Sequence, residues 1–127
     1  MRPADLVGAW ALAGYVEVDA TGTESTGPLG EHPVGLLIYQ ADGHMSVSMM
    51  RTGGAGPETF MGYAGTWRLD GPRVRHAVVV SAHPNQVDTE LVRDIEGSGD
   101  VVVLHGSAVV DGRAVRRKLT WRRESSA

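Results

Sequence analysis

Two apolar runs flank a short polar break near the middle of the chain. Val34-Gly35-Leu36-Leu37-Ile38-Tyr39-Gln40 and Met45-Ser46-Val47-Ser48-Met49-Met50-Arg51 are separated by Ala41-Asp42-Gly43-His44. Asp-Gly between such runs predicts a hairpin, because both central residues of a two-residue type I′ turn need positive φ. With Asp42 and Gly43 at those positions, Gln40 faces Met45, Ile38 faces Val47, Leu36 faces Met49 and Val34 faces Arg51. Side chains that pair share a face, so Leu36, Ile38, Val47 and Met49 form a buried wall ending at Arg51. Gly35, Leu37, Tyr39, Ser46, Ser48 and Met50 take the other side.

The same reasoning extends along the chain. Trp10, Leu12, Gly14 and Val16 alternate within Leu6–Val18, as a strand requires. Asp19–Pro33 reads as a long polar connection. Met61–Leu69 carries Tyr63, Gly65, Trp67 and Leu69 on one side. An Asp70-Gly71 turn then pairs Trp67 with Val74, Gly65 with His76 and Tyr63 with Val78. Arg73–Ser81 follows as a strand, and His83-Pro84-Asn85-Gln86 breaks into a loop. In Glu90–Glu96, Leu91, Arg93 and Ile95 share a face. A Ser98-Gly99 turn pairs Ile95 with Val102 and Arg93 with Leu104. Asp111-Gly112 pairs Leu104 with Leu119, Val102 with Trp121 and Gly106 with Arg117. A one-residue slip would scatter this apolar face, so its consistency predicts a meander. Eight strands and no convincing helix predict an all-β fold, an eight-stranded antiparallel up-and-down barrel formed by one domain, residues 1–127. Such a barrel either fills with side chains or holds one small ligand in a central cavity.

Composition narrows the function. The 127 residues include 17 glycines and no cysteine, which rules out a disulfide framework and a thiolate metal site. A net charge of −3 gives no general attraction to nucleic acid. No signal peptide is recognisable and no apolar run approaches the ~20 residues that span a bilayer, so a cytoplasmic location without membrane contact is expected. Association into a homodimer stays open. The glycine-rich loop Thr52–Thr59 is either a cover for a site or a plain connector.

Sorting by face sends most apolar residues inward, and Arg51, His76, Arg93, Arg117 and Tyr63 go with them. No acidic residue joins from the strands so assigned. Buried unpaired charge costs several kcal/mol, so these groups call for a wet or ligand-filled cavity, or for barrel mouths that reach solvent. His76, Arg93 and Tyr63 are the catalytic candidates. Trp10, Ile38, Val47, Met49, Arg51, Trp67, Val78, Leu104, Arg117 and Trp121 are the candidate ligand contacts. Gly65 opposite His76 would leave room beside the imidazole. The histidines show no HxH or HxxxH spacing, so no metal site and no cofactor are expected, although haem ligation by His76 stays open. Phosphate-loop, dinucleotide and GxSxG motifs are absent.

Several stretches together resemble the bacterial and fungal lipocalin-like domain family. They are Leu6-Val7-Gly8-Ala9-Trp10 with Tyr15, Gly35-Leu36-Leu37-Ile38-Tyr39 with Asp42-Gly43-His44-Met45-Ser46, and Met50-Arg51. Tyr63-Ala64-Gly65-Thr66-Trp67, His76, Ser81-Ala82-His83-Pro84-Asn85, Arg93 and Leu119-Thr120-Trp121 complete the set. The resemblance implies a calycin-type barrel with a small-molecule cavity, and it adds Asn85 to the ligand contacts. The family usually carries a longer, helix-forming insertion where this chain has Thr52–Phe60, which implies a more open mouth. Gln86 stands where an aromatic is common.

Three functions fit. The first is a binder or carrier of a small hydrophobic metabolite with a polar or anionic group. The second is a cofactor-free isomerase or cyclase of secondary metabolism, in which Arg93 and Tyr63 stabilise enolate or carbonyl charge while His76 moves a proton. The third is a structural or partner-binding barrel with a filled core.

Overall fold

A computed structural model describes residues 1–53, 56 and 59–124. A one-turn helix α1 (Pro3–Leu6) precedes strands β1 (Gly8–Val18), β2 (Glu24–Thr26), β3 (Pro33–Tyr39), β4 (His44–Arg51), β5 (Phe60–Asp70) and β6 (Arg73–Ser81). A 3₁₀ turn (Pro84–Gln86) leads to β7 (Glu90–Ser98), β8 (Val101–Val110) and β9 (Arg113–Arg123). Each strand from β3 to β9 pairs antiparallel with the next, and β1 pairs with both β3 and β9. The meander therefore closes into the expected eight-stranded barrel and leaves those strands no open edge. The short β2 adds to β1 as a ninth strand, opposite Val16–Val18. It lies within Asp19–Pro33, and its three exposed residues lack the apolar alternation that marks a strand.

The hairpins test the register residue by residue. Leu104 pairs with Leu119, Val102 with Trp121 and Gly106 with Arg117, as expected from a turn at Asp111-Gly112. Both turn residues have positive φ, 52° and 75°, as a type I′ turn demands. The β5–β6 and β7–β8 hairpins turn instead at Gly71-Pro72 and Gly99-Asp100, with glycine first. Trp67 therefore faces His76 and Ile95 faces Leu104, two residues from the expected partners. A shift of two preserves the faces. The β3–β4 hairpin differs by one, and that reverses a wall. Its loop holds three residues, Ala41-Asp42-Gly43, closed by the Gln40 N–H donating to the His44 carbonyl at 2.9 Å. Leu37 consequently faces Val47 and Tyr39 faces Met45. Leu37 and Tyr39 are buried, whereas Leu36 and Ile38 stand on the outer wall.

Strand β1 also changes phase. Its ladder with β9 skips Ala13 between Leu12 and Gly14, so the buried residue after Leu12 is Tyr15 rather than Val16. Glu17 then falls opposite Arg117, which places one carboxylate on a side expected to have none. The turn at Gly71-Pro72 also places Gly65 opposite Val78 rather than His76, and a second bulge, at Val79, follows directly, so that Ala64 faces Val80. A Cβ on Gly65 would stand 1.9 Å from the Ala77 carbonyl oxygen, so the glycine serves a close backbone approach.

One end of the barrel is sealed. Leu6 of α1 and Trp10 are fully buried, and the Trp10 indole N–H donates to the Leu6 carbonyl at 2.9 Å. The Arg123 guanidinium lies 4.2 Å over the Trp10 ring and donates to the Val7 and Asp5 carbonyls. Trp67 donates from its indole N–H to the Gln40 carbonyl, and Trp121, Val74 and Val102 fill the floor above. The opposite end carries the connections after β1, β4, β6 and β8. Gly54, Ala55, Pro57 and Glu58, from the loop read as either a cover for a site or a plain connector, lie outside the described residues. Among the described residues, no helix is long and apolar enough to cross a membrane.

Candidate functional site

Above the floor the barrel keeps a cavity of about 120 Å³. For scale, a dry protein cavity of about 150 Å³ takes up benzene. Leu37, Val47, Met49, Met61, Leu104, Leu119 and Trp121 supply its apolar wall, and Tyr15, Tyr63, His76, Arg93 and Arg117 supply its polar one. His83 and Gln86 contribute from the segment after β6. That segment is tied down locally. The Ser81 hydroxyl donates to the Gln86 side-chain oxygen at 2.7 Å and accepts the His83 backbone N–H at 3.0 Å.

His76 is the buried polar residue of the core, 2% exposed, and each ring nitrogen meets a tyrosine. Tyr39 Oη lies 2.6 Å from Nε2 and Tyr63 Oη lies 2.6 Å from Nδ1. Burial, reinforced by the nearby Arg93 charge, pulls the imidazole pKa down to about 3, so the ring is neutral at physiological pH. Burial acts in the opposite sense on the phenols. It raises Tyr39 well above the ordinary tyrosine range and Tyr63 to about 12, with Arg93 opposing both. Tyr63 therefore keeps its proton. With both nitrogens occupied, His76 has none left for a substrate or a haem iron, and a molecule in the cavity meets Tyr63 first.

One place beyond the last β7–β8 ladder pair, Asp94 with His105, Arg93 reaches into the cavity over Gly106. A Cβ there would stand 3.1 Å from Nε of Arg93. The guanidinium donates to its neighbour's carbonyl, Val92 O, at 3.2 Å, and no carboxylate pairs with it among the described residues. Arg117 differs. Its Nε sits 3.2 Å from a Glu17 carboxylate oxygen. The cavity thus holds one neutralised cation and one without an internal counter-charge.

Of the residues singled out from the sequence, His76, Arg93, Tyr63, Val47, Met49, Leu104, Arg117 and Trp121 line this cavity. The others fall elsewhere. Trp10 is sealed in the floor, and Trp67 lies behind Tyr39, ring centroids 4.6 Å apart. Val78 is buried away from the cavity, and Ile38 points outward. Arg51 is exposed and donates to the Pro28 carbonyl at 3.0 Å, which fastens the connection after β1. Asn85 is exposed, while its neighbours His83 and Gln86 line the cavity. Tyr15 and Leu37 escaped the sequence reading because of the β1 bulge and the three-residue hairpin loop.

A family model described as the lipocalin-like domain matches residues 7–124. The chain belongs to this family. The lipocalin-like barrel is also similar to the crystal structure of an uncharacterised protein from Bacteroides eggerthii. The TM-score is 0.55 at 16% identity, over 94% of this chain and 100% of that one, and the likeness is one of fold. No curated protein matches the chain. Lipocalin-like barrels are built to enclose small molecules, and here Gln86 lines the cavity with its amide oxygen held by Ser81.

Proposed function

We propose that this lipocalin-like barrel binds a small hydrophobic metabolite that presents an anionic or strongly polarised oxygen to Arg93 and Tyr63. The observation that carries this reading is the inward guanidinium of Arg93, which has no carboxylate partner among the described residues. A cation in that position is best satisfied by a ligand of opposite charge. Tyr63 adds a neutral donor beside it, and the apolar wall accommodates the rest of the ligand. Benzoate is a probe that joins a small apolar ring to the anionic oxygens this reading calls for. Titration monitored by calorimetry or NMR should show benzoate bound more tightly than benzyl alcohol, with benzamidinium not bound. Arg93→Met should remove the preference for benzoate. Equal affinity for all three probes would end this reading.

His83 favours a second reading, turnover by an isomerase or cyclase. Its half-buried imidazole lines the same cavity, and it can take a proton from a carbon beside a carbonyl whose oxygen rests on Tyr63 and Arg93. The same imidazole returns that proton at another carbon, or the enolate closes a ring first. Cyclohexanone in D₂O is a direct probe. Protein-dependent deuterium uptake that disappears in His83→Ala supports turnover, and no uptake above the protein-free rate leaves binding alone.

A further inference from the structure

A neutral imidazole has one N–H donor and one lone-pair acceptor, while each phenol has one donor proton and spare lone pairs. Tyr39, His76 and Tyr63 therefore form a chain with two ways to place the protons. The ring orientation itself is fixed, because turning the imidazole over would set carbon atoms against both hydroxyls. The two arrangements are unequal in what they leave unpaired. If Nε2 carried the proton, Tyr39 would accept it and its own O–H would have nowhere to go. Tyr39 is 1% exposed, and among the described residues Nε2 is its hydroxyl's sole partner. An orphaned buried O–H costs one to a few kcal/mol. With the proton on Nδ1, Tyr39 donates to Nε2, the Nδ1–H donates to Tyr63, and Tyr63's own proton is left over. Tyr63 lines the cavity, so that proton has a place to go.

We infer that Tyr39 is a positioning residue that locks His76 in the Nδ1–H tautomer and makes Tyr63 a one-way donor into the cavity. Each hydrogen bond in the chain runs from the buried end to the open end, Tyr39 to His76 to Tyr63 to ligand. The ligand atom that takes Tyr63's proton must then carry a lone pair, as in a carboxylate, enolate or ketone oxygen, and Tyr63's proton is not drawn back onto His76. This choice of ligand class rests on the proposed binding at Arg93 and Tyr63. The tautomer does not, since it is a property of the unliganded protein.

The test is ¹⁵N NMR of the imidazole in the full chain at neutral pH, without ligand. Nδ1 of His76 should show the signature of a protonated nitrogen and Nε2 that of an unprotonated one, and the reverse assignment overturns the inference. Tyr39→Phe removes the Tyr39 hydroxyl, which among the described residues is the sole donor to Nε2, and lets Tyr63 turn its proton onto Nδ1. The spectrum should then show mixed tautomers, and benzoate binding should weaken about tenfold, the order expected for losing one hydrogen bond to a charged acceptor. A Tyr39→Phe protein that is merely less stable, with the tautomer and benzoate affinity unchanged, also overturns it. Failure of benzoate to bind the unmodified protein counts against the proposed function and leaves the spectrum to judge Tyr39.

Discussion

Gly106 lies against Arg93 one place beyond the last pair of the β7–β8 ladder, Asp94 with His105, and a Cβ on the glycine would press on the arginine at 3.1 Å. The atoms it would meet belong to the outer half of a flexible side chain rather than to backbone. Gly106→Ala should therefore cost less than about 1 kcal/mol, since Arg93 yields by tenths of an ångström. Gly106→Val should push the guanidinium off its place. Chemical denaturation reads the first effect and titration the second. Benzoate affinity should fall about tenfold in the valine variant, the order of a lost charge-assisted hydrogen bond, and benzyl alcohol affinity should fall less. Equal losses for both probes would mean that valine simply fills the cavity.

Acid should weaken the fold through His76. The folded chain holds this imidazole neutral down to about pH 3, whereas an unfolded histidine takes up a proton near pH 6.5. Between those values the unfolded state binds more protons, so stability is full above pH 6.5 and falls as pH drops toward 3. By pH 4 the loss from this group alone is about 3 kcal/mol. Asp19, Asp42 and Glu96, with pKa values held low by hydrogen bonds, also lose stability in acid, but they are exposed and are common to any variant. Urea unfolding of the unmodified chain and of His76→Gln at pH 7 and pH 4 isolates the histidine. The variant should be less stable at pH 7 and lose less on acidification. Parallel losses would show that His76 is not held neutral.

The barrel was legible in the sequence because each face error of two residues cancels. Glycine occupies the first place of the turns at Gly71 and Gly99 and the second at Gly112, and all three leave the same residues inside. Gly43 closes a three-residue loop instead, at φ 95°, and that odd count turns β3 over. Both faces of Val34–Tyr39 are apolar, so hydrophobicity had no power to choose between Leu36 with Ile38 and Leu37 with Tyr39. The cost fell on the site. Tyr39 was sent outward, and with it went the partner that occupies Nε2 of His76. Tyr63, His76 and Arg93 were legible because β5, β6 and β7 keep their phase at these positions. The Glu17 carboxylate was hidden by the Ala13 bulge, whose only local trace is two small residues, Ala13 and Gly14.

Gly65 supports the site from behind. The Val79 bulge brings the Ala77 carbonyl within 1.9 Å of where a Cβ would lie, and backbone cannot move aside as a side chain does. Gly65→Ala should destabilise the fold by about 3 kcal/mol or more, at the upper end of overpacking costs. The damage should centre on β5 and β6, which carry Tyr63 and His76. Hydrogen exchange across these strands would reveal it. A variant with unchanged melting and unchanged protection would mean that the bulge can relax at little cost.

Glu17 holds Arg117 at 3.2 Å, and that ion pair separates the two cationic walls of the cavity into a neutralised one and an open one. The pair is partly shielded, with 28% of the Arg117 side chain and 18% of the Glu17 side chain exposed, so its Coulomb energy is only partly screened. Glu17→Gln keeps the shape and removes the charge. Arg117 should then be available to an anion, and benzoate should bind about five-fold more tightly, equivalent to about 1 kcal/mol, with a steeper dependence on salt. The fold should lose about 1 kcal/mol, within the usual range for a partly exposed pair. If affinity instead falls in Glu17→Gln, Arg117 depends on Glu17 for its position and serves the site only while that pair holds, leaving Arg93 alone to read the anion in the variant. The double variant Glu17→Gln with Arg93→Met then separates the cases, since only an independently acting Arg117 would restore a preference for benzoate over benzyl alcohol.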